Sequence, residues 1–238
     1  MIRSYRLLSL LVLALFALEP LQAQLMNKGT IKFEVTDVQT NNPDMQQMIG
    51  SMKGMAQTLQ FDGAQQQMTV DMMGGLMRIN TFWTGANSTV ETYMDMMGQK
   101  IKTIMSNEDV EKMRKESEAM IKSEDIKYDK SVTKKILGKD CYKAYYETDA
   151  NGQKFSMEMY VTEDIKVPNS FLQNLNQIEL KGTPLMWIMD AGMMKMTFMA
   201  TDISKDLGSD FFKKPEGAYQ EMSMEQLKQM GMGGQIGF

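Results

Sequence analysis

The sequence predicts an α+β fold in which one curved antiparallel sheet carries helices on one side. The first observation is that apolar and polar residues alternate along most of the chain, which is typical of half-buried strands. The second is that pairs such as Asp62-Gly63 and Asn151-Gly152 separate the alternating segments, which is typical of tight hairpin turns. Because the connections are short, neighbouring strands should be antiparallel and follow one another as a meander.

Residues 1–23 have the layout of a secretory signal peptide. Two early arginines precede Leu7–Leu18, an uncharged, mostly apolar run. This run is too short to span a bilayer, because a membrane helix needs about 20 residues. Ala23 lies at the expected cleavage site, so the mature protein should begin near Gln24. We therefore expect an exported protein, periplasmic or secreted, with no transmembrane segment after signal cleavage.

Strands are predicted wherever the alternation is bounded by turn signals. The last hairpin is apolar on both faces, as Leu185, Trp187 and Met189 show against Met186 and Ile188. A strand of this kind should lie in the middle of the sheet. The predicted strands span residues 29–39, 57–62, 66–73, 76–84, 89–97, 99–105, 125–137, 140–148, 153–162, 184–190 and 193–203.

Helices are predicted at three places. The first follows Pro43, where apolar residues recur at helical spacing from Met45 to Met55. Two glycines inside it cost about 1 kcal/mol each relative to alanine, so this helix should fray or move. The second begins after Ser106, whose hydroxyl can cap it. The third covers Ser170 to Gln177.

The chain after the signal peptide is predicted to form one domain. No repeat and no linker divides residues 24–220, and the resulting length is enough to bury a core without disulfides. Residues 221–238 contain a possible helical turn and then a run rich in methionine and glycine. They are predicted to form a flexible tail.

The composition excludes several classes of function. A net charge of −4 gives no basic footprint for nucleic acid. The chain has no histidine, so neither a Ser-His-Asp nor a Cys-His arrangement can exist. Cys141 is the single cysteine and is interpreted as a small buried hydrophobe, while Asp190 is interpreted as a turn residue. We predict no catalytic residue, no cofactor and no metal site, so the protein should not be an enzyme.

Methionine is the main compositional feature. After the signal there are 27 methionines and only 10 leucines, so methionine takes the place of leucine in the core. Met-x-Met pairs such as Met94/Met96, Met157/Met159 and Met222/Met224 put two thioethers on one face of a strand. Thioethers are soft ligands that suit Cu(I), although gap-filling in the core is the favoured interpretation. A third interpretation is that flexible methionines line a cavity for variable apolar ligands.

Three stretches carry a resemblance to a known family. They are ILGKDCYKA (136–144), LKGTPLMW (180–187) and FFKKPEGAY (211–219). In this order they resemble an uncharacterised family of exported Bacteroidota proteins, a domain of unknown function that is similar to the LolA/LolB lipoprotein-carrier superfamily. The resemblance covers about residues 28–220. It implies an incomplete antiparallel barrel with helices plugging the open side and acyl chains held in the concave sheet, and it implies no catalytic residues.

A ligand-binding face follows from the alternation together with the curvature that the resemblance implies. The side chains expected to converge come from four strands, and the first predicted helix could cover them as a lid. The expected face comprises Ile31, Phe33, Val35, Met68, Val70, Met72, Phe155, Met157, Met159, Met194, Met196 and Phe198. The expected lid residues are Met45, Met48, Met52 and Met55.

Three hypotheses for the function remain open from the sequence. The first is a non-enzymatic exported protein that binds a lipid or another apolar small molecule on this face. The second is a methionine-rich copper-binding protein. The third is a structural or interaction module of the cell envelope with no small ligand and a protein partner that the sequence does not identify.

Overall fold

The computed structural model describes residues 25–85, 89–118, 125–150, 153–168 and 180–230. The strands of this part of the chain are β1 (Lys28–Thr40), β2 (Ala56–Asp62), β3 (Gln65–Met72), β4 (Met77–Thr84), β5 (Val90–Met96), β6 (Gln99–Met105), β7 (Lys127–Ile136), β8 (Lys139–Ala150), β9 (Gln153–Thr162), β10 (Thr183–Asp190), β11 (Met194–Ser204) and β12 (Gln220–Glu221). They form one sheet in the order β12-β6-β5-β4-β3-β2-β1-β11-β10-β9-β8-β7. Neighbouring strands are antiparallel, apart from the parallel pair of β6 and β12.

Each of the predicted strands lies within two residues of an observed strand at both ends. The turns explain this accuracy. Met97 and Gly98, between β5 and β6, have φ values of 53° and 89°. A two-residue type I′ hairpin turn requires positive φ at both positions, and glycine adopts it without strain. The glycine signals therefore mark the ends of the strands closely.

Two bulges keep the apolar side chains of the central strands on one side. The pairing of β1 with β11 skips Thr36 on β1 and Thr201 on β11. Side chains alternate along a regular strand, so residues three apart would point to opposite faces. The extra residue at Thr36 shifts this alternation, and Val35 and Val38 are both buried.

The predicted α+β class, with helices covering one face, is wrong, because the protein is mostly β. The helices in the described ranges are α1 (Ile49–Met52), α2 (Asn107–Glu118) and α3 (Met224–Gln229). At 1.5 Å per residue α1 is only about 6 Å long. α2 extends from the end of β6 and carries mostly charged side chains. None of the three can cover a sheet of this width.

The first predicted helix shows why the fold class differs from the prediction. Its segment forms a 3-10 helix over Pro43–Met48 and then the single turn of α1. The chain then leaves the helix, and the carbonyl of Met55 accepts a hydrogen bond of 3.2 Å from the backbone N–H of Val35 on β1. A methionine repeat at helical spacing was therefore not enough to sustain a helix that contains two glycines.

The other helix predictions have different outcomes. Ser106 caps α2 as predicted: its hydroxyl accepts from the Asp109 N–H at 3.2 Å and donates to the Asp109 carboxylate at 2.6 Å. The predicted helix from Ser170 to Gln177 lies outside the described residues, as does the predicted signal peptide. In the segment assigned to a tail, β12 pairs with β6, and Leu227 of α3 is fully buried.

Candidate functional site

The pairing of the strands places all of the predicted ligand-binding residues on one face of the sheet. Directly paired residues of antiparallel strands point to the same side. Phe33 and Val35 pair with Ala200 and Phe198, and Trp187 pairs with both Phe198 and Met159. The same side, called the apolar face below, carries these predicted residues: Ile31, Phe33, Val35, Met68, Val70, Met72, Phe155, Met157, Met159, Met194, Met196 and Phe198.

Burial divides these residues into two groups. One group is packed within the core and is formed by Ile31, Phe33, Val35, Val70, Met157, Met159 and Phe198. The other group remains partly exposed and is formed by Met68, Met72, Phe155, Met194 and Met196. The apolar face is therefore a packed layer with an accessible margin.

Aromatic rings form the centre of the apolar face. The ring of Trp187 is stacked on Phe198, with centroids 4.8 Å apart, and meets Phe33 edge-on at 5.0 Å. Trp187 was not among the predicted site residues, and neither were the buried Leu59 and Phe61 of β2. The signal was present in each case, because these residues also alternate with polar neighbours or lie in the doubly apolar hairpin.

The segment 43–55 packs against the apolar face. Ile49, Met52 and Met55 contact its buried cluster and stay partly exposed. Met45 is partly buried, and the side chain of Met48 lies outside the described part of the structure. This segment, residues 43–55, is called the cover below.

One end of the apolar face is open. Met189 lies near the end of β10, Met194 and Met196 lie at the start of β11, and all three are partly exposed. Phe155, near the start of β9, lies at the same end and lines an open cleft of about 580 Å³ with Lys154 and other polar residues. The cover follows β1 at this end, so the accessible methionines lie where an apolar chain could enter.

The apolar face becomes more polar toward β6. Thr81, Thr92 and Thr103 form a row across β4, β5 and β6 and are fully buried. The hydroxyls of Thr81 and Thr92 are 3.3 Å apart, whereas Thr103 Oγ1 has no partner among the described residues. Beyond this row a second cluster gathers two Met-x-Met pairs around Leu227: Met94, Met96, Met222 and Met224.

The opposite face is more polar, and among the described residues one segment crosses it. After β11, residues 205–219, called the strap below, run over the strands to β12. The strap is anchored where the ring of Phe212 meets Phe82 edge-on at 5.6 Å and Tyr219 meets Tyr93 at 5.1 Å. An open cleft of about 1020 Å³, called the polar cleft below, lies between the strap and the strands.

A partly buried ion pair also holds the strap in place. Lys214 Nζ lies 3.2 Å from Glu91 Oε1 and 3.9 Å from the centroid of the Phe82 ring. Burial raises the pKa of Glu91, but the hydrogen bond from Tyr93 and the Lys214 ammonium outweigh it and leave that pKa below its usual value. Burial, with the neighbouring Glu91 carboxylate, raises the pKa of Tyr93 to about 12. Burial lowers the pKa of Lys214 despite the attraction of Glu91.

The single thiol shows no sign of reactivity. Cys141 is buried in the core, as predicted, and burial is the main cause that raises its pKa to about 11. Reactive thiols have lowered pKa values. Asp190 is a turn residue, as predicted, since its carboxylate accepts a 2.9 Å hydrogen bond from the Gly192 N–H. Within the described ranges, no three acidic or cysteine side chains gather as a metal site.

Comparison with known proteins gives only distant likenesses. No family model and no curated protein matches the chain. Among solved structures, the lipoprotein LppX of Mycobacterium tuberculosis has a TM-score of 0.38 at 5% identity, over 77% of this chain and 90% of that one. LprF of Mycobacterium bovis has a TM-score of 0.37 at 10% identity, over 81% and 91%.

A third structural neighbour is a domain from Vibrio parahaemolyticus that is named for outer membrane lipoprotein sorting. Its TM-score is 0.26 at 8% identity, over 78% of this chain and 88% of that domain. A lipoprotein-sorting domain is thus among the distant structural neighbours, as the resemblance to the LolA/LolB superfamily predicts. The likeness concerns the fold alone. No helix in the described ranges is long and apolar enough to cross a membrane.

Proposed function

We propose that this is a non-enzymatic exported protein that binds the acyl chain of a lipid, or a similar apolar molecule, on the apolar face beneath the cover. The observation that carries the proposal is the open end of that face. Met189, Met194 and Met196 are partly exposed there, next to a buried aromatic centre. Contiguous exposed apolar patches are typical of ligand-binding or interaction sites, and these three methionines lie next to one another on the same face.

The choice of methionine supports an adaptable site. Methionine is unbranched and flexible, so its side chain can fit apolar ligands of different shapes. Each CH₂ group that an acyl chain buries contributes about 0.8 kcal/mol, so a chain of modest length needs no polar anchor. The cover contributes the other side of the site. α1 has only four residues and contains Gly50, so opening it should cost little.

Export is the second part of the proposal, and the sequence alone supports it. The signal layout of residues 1–23 predicts that the mature protein begins near Gln24. N-terminal sequencing of the protein from its native host tests this. A cytoplasmic protein that retains Met1 would contradict export, while leaving ligand binding by the folded domain open to its own test.

The ligand proposal is tested with a fluorescent long-chain fatty acid. Met196→Asp places a charge at the open end, and we expect at least a tenfold loss of probe affinity. The matched control is Met199→Asp, because Met199 lies on the same strand, is also partly exposed and faces the polar side. Its affinity should equal that of the wild type. No probe binding, or equal losses in both variants, would contradict the proposal.

The proposal that the protein is not an enzyme rests on the missing histidine and on the unreactive thiol. The raised pKa of Cys141 leaves it protonated at neutral pH. A screen with ester, peptide and phosphate substrates should stay at background. Turnover that disappears on substitution of a single carboxylate would contradict it.

We propose Cu(I) binding as a second candidate, because one observation favours it. Met94 and Met96 pack in one cluster with Met222 and Met224, so two Met-x-Met pairs that are far apart in sequence meet. Thioether sulfur is a suitable ligand for Cu(I). Replacing Met94 and Met224 with leucine keeps the volume and should abolish Cu(I) binding in a chelator competition. The matched control replaces Met157 and Met159, and equal affinity in both variants would exclude the cluster as the site.

A further inference from the structure

The floor of the polar cleft consists of buried polar side chains. Thr30, Gln60 and Gln67 line it from β1, β2 and β3 and are 8%, 7% and 5% exposed. Gln60 and Gln67 are directly paired across the two strands. Side chains of this type are seldom buried unless a hydrogen-bond partner is present. Each of these three side chains therefore needs a hydrogen-bond partner.

The strap provides hydrogen-bond partners for only some of these side-chain atoms. Thr30 Oγ1 donates to the carbonyl of Asp206 at 2.8 Å, and Gln67 Oε1 accepts from the Phe212 N–H at 2.6 Å. The side-chain amide of Gln60 has no hydrogen-bond partner among the described residues, and neither has Gln67 Nε2. The floor thus presents amide donors and an amide acceptor to whatever occupies the cleft.

The cleft is large enough for a small-molecule ligand. Its volume of about 1020 Å³ is at the upper end of the range of small-molecule sites. The strap approaches the floor closely at Gly208, where a Cβ atom would clash with Asp210 and lie 3.3 Å from Gln60 Nε2. Glycine at this point lets the strap pass close over the amide of Gln60 without a side chain between them.

The charges around the cleft disfavour an anionic ligand. Arg78 lies 2.6 Å from Asp71, and Lys32 lies 3.5 Å from Asp202, so these groups are paired with each other. Five aspartates and three basic residues line the cleft, which disfavours a phosphate or carboxylate. The remaining lining offers hydroxyl and amide groups and the ring of Tyr219: Thr58, Thr69, Asn80 and Ser204.

We propose that the polar cleft binds a neutral polyhydroxylated ligand, a sugar, through the side-chain amides of Gln60 and Gln67. Sugar hydroxyls both donate and accept hydrogen bonds, as these amides do. The paired charges can add charge-assisted hydrogen bonds without demanding a charged ligand. This site is separate from the apolar face, because it lies on the other side of the same strands.

Calorimetric titration with neutral oligosaccharides, including maltotetraose and chitotetraose, tests the proposal. Gln60→Leu should weaken binding at least tenfold. The matched control is Gln57→Leu, on the same strand but facing the apolar side, which should bind like the wild type. Glucose 6-phosphate should bind less well than the neutral sugars. Co-sedimentation with insoluble chitin distinguishes a polymer from a free oligosaccharide as the source.

Nuclear magnetic resonance on the wild-type protein tests the proposal even if a variant loses stability. The side-chain amide signals of Gln60 and Gln67 in the wild type should shift on adding the sugar, while the signal of Gln57 should not. No shift with any neutral sugar, shifts confined to the apolar face, or a preference for the phosphate would each overturn the proposal. Fatty-acid probe binding should be unchanged in Gln60→Leu, which separates this site from the proposed acyl site.

Discussion

The two faces of the sheet are built on the same strands but are held in different ways. On the apolar face, side chains from β1, β2 and β7–β11 pack into one continuous cluster. On the polar face, the strap is attached at a few points, chiefly by the rings of Phe212 and Tyr219. The apolar face should therefore determine global stability, whereas the strap should be able to open while the sheet stays folded.

The largest expected effect comes from charging the centre of the apolar face. Met157 is 1% exposed, so Met157→Asp buries an unpaired carboxylate and should destabilise the protein by about 3–5 kcal/mol, enough to unfold many domains. Thr201→Asp, at an exposed position of the polar face, should change stability by about 0.5 kcal/mol or less. Chemical denaturation of both variants measures this.

A Met157→Asp protein as stable as Thr201→Asp would mean that the apolar face is loosely packed. Met157 is unsuited to a binding test, because a substitution that unfolds the protein also abolishes binding. The structure makes Met196 the better choice because it is partly exposed.

The alternation of residues made much of the apolar face predictable. A period of two assigns side chains to faces, and glycine turns set where each strand ends, so Val35 and Phe198 could be assigned to the same face although they are distant in sequence. Alternation could not give the order of the strands or the bulge at Thr36. The polar cleft was not predictable, because it exists only where the strap folds back over residues such as Gln60 and Gln67.

The second prediction concerns the strap. Phe212 has φ of 61°, which is strained for a bulky residue, and contact with Phe82 holds it there. Phe212→Ala should lose the ring contact and keep the strain, destabilising the strap by about 2 kcal/mol. Phe212→Gly relieves the strain and should recover about 1 kcal/mol of that loss.

Hydrogen exchange distinguishes local from global opening in these variants. Residues of the strap should exchange faster in Phe212→Ala, while β1 and β11 keep the protection of the wild type. Faster exchange throughout the sheet would show that the strap is part of the global folding unit, and the contrast between the two faces would then fail.

The third prediction sharpens the role of the cover. Gly50 in α1 is exposed, and a Cβ atom there would meet nothing within 4 Å. Gly50→Ala should therefore stabilise the cover by about 0.4–1 kcal/mol. If the cover opens to admit an acyl chain, release of the fatty-acid probe should slow in stopped-flow measurements. An unchanged release rate in a stabilised variant would mean that the ligand does not pass the cover.

The smallest expected effect is a pH dependence confined to the strap. The pKa of Glu91 is held below its ordinary value of 4.5 by Tyr93 and Lys214. A carboxylate with a lowered pKa stabilises the folded state above its unfolded pKa, and this contribution disappears as the pH falls through the folded pKa. Burial of the Lys214 ammonium offsets part of the gain, and the pair is partly exposed, so less than about 1 kcal/mol is expected. Hydrogen exchange of the strap should therefore accelerate relative to β1 in the same sample once the pH falls below the ordinary Glu pKa of 4.5. Glu91→Gln should remove this acceleration while keeping the shape of the side chain. Equal acceleration in the variant would assign the acid sensitivity to another carboxylate.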